Sequence, residues 1–124
     1  MKIVKHKILA ALLIITPILI LFSSCSKEED TIGIVKVVFS NGNPMPGATV
    51  VLDQTNGAPG TDPIDNLTKT ATTDANGRAQ FTYRYEAILD VTVSKTAGNN
   101  TYSGSSVLRL LRGEPTTIVV EAIQ

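Results

Sequence analysis

The chain has no tryptophan, one cysteine and one histidine in 124 residues. The histidine is His6, inside a greasy, basic N-terminal stretch, and the cysteine is Cys25, at the end of it. Everything from Ser26 to Gln124 therefore lacks both side chains. That excludes a Ser-His-Asp or Cys-His catalytic arrangement in this part, and equally a zinc site with His or Cys ligands. Carboxylates, or Lys and Tyr as bases, are the acid–base chemistry left, so no enzyme activity, metal or cofactor is expected. Positive charge is also short. After position 24, eight bases face eleven acids, a net charge of −3, and the bases are not clustered. Phosphate neutralisation needs clustered Lys and Arg, so nucleic acid is not an expected partner.

What is present begins with Lys2, Lys5 and Lys7, followed by an apolar run from Ile8 to Phe22 that only Thr16 and Pro17 interrupt. A bilayer-spanning helix needs about 20 apolar residues. A shorter run behind a basic head is the pattern of a secretory signal peptide, and the following Glu28-Glu29-Asp30 is no basic stop-transfer flank. Phe22-Ser23-Ser24-Cys25 resembles the lipobox of bacterial lipoproteins: a large apolar residue, two small ones, then Cys. The resemblance implies cleavage before Cys25, a diacylglycerol on its thiol and an acylated amino terminus, hence residues 1–24 as signal peptide. Two or more acyl chains anchor stably where one is marginal. The expected first partner is thus a membrane, reached through lipid on Cys25. Lys27-Glu28-Glu29 resembles the cell-surface export signal of some Gram-negative lipoproteins, against the plainer reading of a solvated acidic linker. It implies an outer-membrane, surface-exposed position. Asp30-Thr31-Ile32 resembles a bacterial O-glycosylation acceptor, with Thr31 as the candidate residue. Residues 25–32 are read as lipidated Cys plus a mobile acidic tether.

The remainder, residues 33–124, reads as one domain of short strands. Gly33–Ser40, Ala48–Asp53, Leu67–Thr73, Arg78–Tyr85, Ile88–Lys95, Tyr102–Leu111 and Thr116–Ile123 are rich in β-branched residues, alternate in polarity, or both. The sixth is strand-like only in its second half, Ser106–Leu111, which leaves Tyr102 near a turn. Gly, Pro and Asn clusters separate the strands. Inward positions are expected at Val35, Val37 and Phe39, at Ala79, Phe81 and Tyr83, at Leu89, Val91 and Val93, and at Ile118, Val120 and Ala122. The thirteen residues Gln54–Asn66 form the longest irregular stretch, beyond the usual 4 to 6 of compact domains and in the range where loops are often functional. Seven strands in this spacing predict an all-β sandwich.

The order of these signals is similar to that of carboxypeptidase-regulatory-like domains. Asn43-Pro44-Met45-Pro46-Gly47-Ala48-Thr49-Val50-Val51-Leu52 resembles that family's Pro-Gly-Ala turn and second strand. Thr72 to Phe81 resembles its Asn-Gly turn and strand, and Leu89 to Ser94 its later Val-rich strand. The resemblance implies a seven-stranded transthyretin-like, Ig-like sandwich acting as an adhesive or structural module without catalytic residues. Departures are Asn43, where Gly is common, and the long Gln54–Asn66 loop.

Several constellations compete for a functional reading. Asp74-Ala75-Asn76-Gly77 has the start of a calcium loop but not the later ligands, and reads as a turn. Asp62 and Asp65 in the long loop, with Tyr85 at a strand end and Tyr102, are the candidate ligand contacts. Lys36 suits an isopeptide crosslink, but the last strand has no Asn or Asp to receive it. The expected function is a non-enzymatic surface lipoprotein serving as a binding or structural interaction module with a protein or glycan partner. The alternatives are a glycan-binding accessory protein of a polysaccharide uptake system, using Tyr85, Tyr102 and the long loop, or the anchor subunit of a surface fibre.

Overall fold

The computed structural model describes residues 29–54 and 68–124. These form β1 (Thr31–Phe39), β2 (Thr49–Asp53), β3 (Lys69–Thr72), β4 (Arg78–Tyr83), β5 (Ala87–Ala97), β6 (Asn100–Leu110) and β7 (Thr116–Ala122). The signal peptide, Cys25, Lys27, Glu28, Asp62 and Asp65 lie outside the described residues.

The strands make two sheets. One has the order β4-β1-β7, the other β3-β2-β5-β6. β1 runs antiparallel to β4 and parallel to β7, with Val35 opposite both Ala79 and Ile118. The second sheet is antiparallel throughout. Alternating side chains of both sheets meet in one core: Val35 and Val37, Val50 and Leu52, Ala79, Phe81 and Tyr83, Leu89, Val91 and Val93, Leu108 and Leu110, Val120 and Ala122. Period-two patterning is what a two-layer sandwich needs, and the sequence displays it in β1, β4, β5 and β7. The chain is thus the seven-stranded sandwich its strand pattern predicts.

Three differences from expectation have physical causes. First, β1 starts at Thr31, so Thr31 and Ile32 belong to the sandwich and not to a tether. Second, β5 and β6 are eleven residues each and pair along their whole length, from Ala87↔Leu110 to Ala97↔Asn100. The first half of β6 is masked in sequence because its inward positions are Tyr102, Gly104 and Ser106, not aliphatics. Gly104 is required by a close approach: a Cβ there would lie 2.6 Å from the Glu121 carbonyl and 2.9 Å from Val120. Third, the Pro44–Ala48 segment is not merely a turn. Met45 and Ala48 are fully buried, and the buried Thr73 hydroxyl ties them down, donating to the Met45 carbonyl (2.7 Å) and accepting from the Ala48 N–H (2.8 Å). The Asp74–Gly77 turn is a turn, as read. Asp74 Oδ1 accepts the N–H groups of Asn76 and Arg78, both at 2.9 Å. Gly77 adopts φ +73°, where a Cβ would sit 2.5 Å from the Val37 carbonyl.

Candidate functional site

The strand directions give the sandwich two poles. At one end lie the start of β1, the ends of β4 and β6, the start of β5 and, through the Asp53↔Asp90 pairing, the end of β2 and start of β3. Gly33 on β1 packs against Leu108 and Leu110 of β6, which places the chain's entry at this same pole. Both roots of the long loop emerge here. The Thr68 hydroxyl donates to Asp53 Oδ1 (3.0 Å), and the Gln54 N–H donates to the same oxygen (2.7 Å), so the roots are tied together.

Thr31 is fixed at this pole. Its side chain is fully buried and its hydroxyl donates to the carbonyls of Tyr85 (2.8 Å) and Tyr83 (3.1 Å). A hydroxyl so enclosed has no surface to offer a sugar. The expectation that Thr31 carries a glycan therefore does not fit the folded domain. The sequence could not show this, because an Asp-Thr-Ile triplet looks the same in a tether and at a strand start. Glu29, the last residue of the export-like motif, is exposed and its carboxylate lies beside Gly113.

Tyr83 closes the core behind Thr31. Burial, and secondarily the negative charge of Asp53, push its phenol up to about 12. The Lys69 ammonium stands 4.4 Å above its ring and donates to the Thr82 carbonyl, which bridges β3 to β4 across the open side of the sandwich. The sequence left Tyr and Lys as candidate bases. Tyr83 is neutral at physiological pH and acts as packing and cation-π acceptor. Beyond it, Tyr85 is 56% exposed. A shallow cleft of about 210 Å³ begins at the next residue along the chain and is lined by Glu86, Ala87, Ile88, Arg109, Leu110 and Leu111. Glu86 Oε1 accepts the Arg112 N–H at 3.0 Å. Exposed Ile88 and Tyr85 with Arg109 and Glu86 offer apolar contact and charge-assisted hydrogen bonds, which is binding chemistry.

Tyr102 is not part of this pole. It lies on β6 opposite Lys95 of β5, eight residues before Leu110, which at a strand rise of about 3.3 Å per residue is roughly 26 Å away. It is half-buried, and its ring meets Phe39 edge-on with centroids 5.4 Å apart. Tyr85 and Tyr102 therefore cannot flank one sugar. The candidate ligand contacts divide: Tyr85 joins the loop roots, Tyr102 is core packing at the far pole.

No family model matches this chain, and no curated protein does. Among solved structures, the Bacillus anthracis TIE protein resembles it with a TM-score of 0.57 at 12% identity, over 76% of this chain and 16% of that one. This chain thus spans about a sixth of the length of that protein. At that identity the likeness concerns the fold alone, and it agrees with the β-sandwich.

Proposed function

We propose that this chain is a non-enzymatic outer-membrane lipoprotein, anchored through Cys25 and exposed at the cell surface, whose carboxypeptidase-regulatory-like sandwich is a binding or structural interaction module. The observation that carries the reading is the junction. The first residue of the sandwich, Thr31, is locked by two hydrogen bonds, only six residues after Cys25. Fully extended, six residues span about 20 Å. A lipid on Cys25 therefore holds the entry pole, with Tyr85 and the loop roots, close to the membrane surface. Cys25→Ala should abolish incorporation of labelled palmitate and release the protein from membranes or leave it unprocessed. A variant that is still processed and fully membrane-bound sinks the proposal. Protection of the wild-type domain from protease added to intact cells would remove surface exposure while leaving the anchor standing.

Exposed Tyr85 beside the loop roots favours one second reading, a glycan-binding accessory protein. Tyr85 carries it without Tyr102. In a glycan-array screen of residues 27–124, binding that Tyr85→Ala removes and Tyr102→Ala spares would support it; no binding to any glycan would dismiss it.

A further inference from the structure

Asparagine followed by glycine occurs three times, at Asn41-Gly42, Asn56-Gly57 and Asn76-Gly77. The dipeptide has a chemistry of its own. A glycine nitrogen has no neighbouring Cβ to shield it, and its backbone turns freely. It can therefore attack the side-chain amide carbon of the asparagine before it. Asn56 lies outside the described residues. The other two stand in turns towards the far end of the sandwich from the entry pole, where β1 ends and β4 begins, and the fold treats them differently.

Both glycines have positive φ, +84° at Gly42 and +73° at Gly77. Both N–H groups donate across their turns at 2.9 Å, to the carbonyls of Phe39 and Asp74. Beyond that bond the two part. Gly42 is exposed, and a Cβ on it would meet nothing within 4 Å. Gly77 is buried, and its carbonyl accepts the Val37 N–H at 2.7 Å. The asparagine side chains differ too. Asn41 Oδ1 accepts the Asn43 N–H at 3.0 Å. That bond holds the carboxamide against its own turn and polarises the carbon under attack, as a donor does for a developing oxyanion. No donor among the described residues holds the Asn76 side chain.

We propose that Asn41 is a self-modification site, converted to aspartate and isoaspartate by its own backbone, and that the fold protects Asn76 from the same reaction. The Gly42 nitrogen gives its proton to water or hydroxide and forms a bond to Cγ of Asn41. The Cγ–Nδ2 bond breaks, and ammonia leaves with a proton returned from solvent, closing a succinimide ring. One water then opens the ring. Attack on the side-chain carbonyl yields aspartate at position 41, and attack on the main-chain carbonyl yields isoaspartate. The net exchange is one amide and one water for one carboxylic acid and one ammonia, with no oxidant or cofactor. Each event adds a negative charge to the far pole, and isoaspartate also lengthens the backbone of the turn that follows Phe39. To reach Cγ, the Gly42 nitrogen gives up one exposed turn bond. The same movement at Gly77 would also pull its carbonyl from the Val37 N–H, in a space where a Cβ would stand only 2.5 Å from the Val37 carbonyl.

The test uses the intact protein purified in detergent, so its outcome does not depend on whether Cys25 carries lipid. The protein is held in mildly alkaline buffer, once folded and once unfolded in guanidinium. Peptides are taken at intervals, and tandem mass spectrometry assigns each exchange of amide for acid to one asparagine, so that Asn56 is read separately. In the folded protein Asn41 should convert with isoaspartate among the products, and faster as pH rises. Asn76 should convert about tenfold or more slowly, because the path there breaks an additional buried hydrogen bond. In guanidinium the two should convert at similar rates. Asn76 keeping pace with Asn41 in the folded protein overturns the proposal. So does an Asn41 that stays intact in the folded protein while it converts in guanidinium, or a preference for Asn41 that persists undiminished after unfolding.

Discussion

Thr31 shows how one hydroxyl can decide where a domain begins. Its two acceptors, the carbonyls of Tyr83 and Tyr85, lie where β4 ends, so the hydroxyl ties the start of β1 to that end. Thr31→Val keeps the shape and removes the donor, so both carbonyls lose it. The cost should be about 1–2 kcal/mol, read as a lower urea midpoint with an unchanged slope. Tyr83 supplies a second residue-level prediction. Its phenol ionises at about 12 in the fold and near 10 in an unfolded chain. The raised value means that the folded state holds the proton longer. The contribution is complete below pH 10 and is lost as pH rises from 10 towards 12, by an amount on the order of 2 kcal/mol. Tyr83→Phe cannot ionise, so its stability should fall less over that window. Equal alkaline slopes for wild type and variant would refute the assignment.

At the scale of elements, what the sequence could show depended on whether inward positions were filled by aliphatics. β1, β4, β5 and β7 carry Val, Leu, Ile or Phe inward, and period-two patterning reveals such strands. β6 does not, since Tyr102, Gly104 and Ser106 occupy its inward positions while β7 passes beneath. Its first half therefore reads as a turn, and Tyr102 as a surface ring. Met45 was hidden for a related reason: flanking prolines mark a turn, and nothing local says that the turn's methionine plugs the core. The candidate site was legible in part. Tyr85 is exposed by the end of a clean alternation, whereas its separation from Tyr102, and the enclosure of Thr31, are tertiary facts. Gly104→Ala tests the β6–β7 contact. The added Cβ would clash with the Glu121 carbonyl at 2.6 Å, and backbone cannot yield there without opening the Ser103–Ile123 bridge. A loss of about 1–3 kcal/mol is expected, with faster amide exchange at Ser103 and Ile123 than elsewhere in the sheets.

At the scale of the whole molecule, the sandwich has unlike ends. The entry pole has the Tyr85 cleft and the loop roots. The far pole has the Gly98–Asn99 turn between β5 and β6 and the Phe39–Tyr102 pair. Eleven-residue strands separate the poles by about 35 Å, more than the reach of the six-residue step from Cys25 to Thr31. If lipid on Cys25 is the anchor, the domain cannot exchange its ends: a tumbling sandwich still keeps the entry pole nearer the bilayer, because that is where the chain enters. Any ligand of the Tyr85 cleft then meets it close to the membrane, while the Gly98–Asn99 end faces outward. Fluorophores placed on Arg84→Cys and Asn99→Cys in the lipidated, vesicle-bound protein should differ accordingly. A quencher carried on lipid headgroups should quench the label at 84 strongly and the label at 99 weakly. Equal quenching at both would mean that the domain lies along the surface, and that the entry pole is not the membrane-facing end.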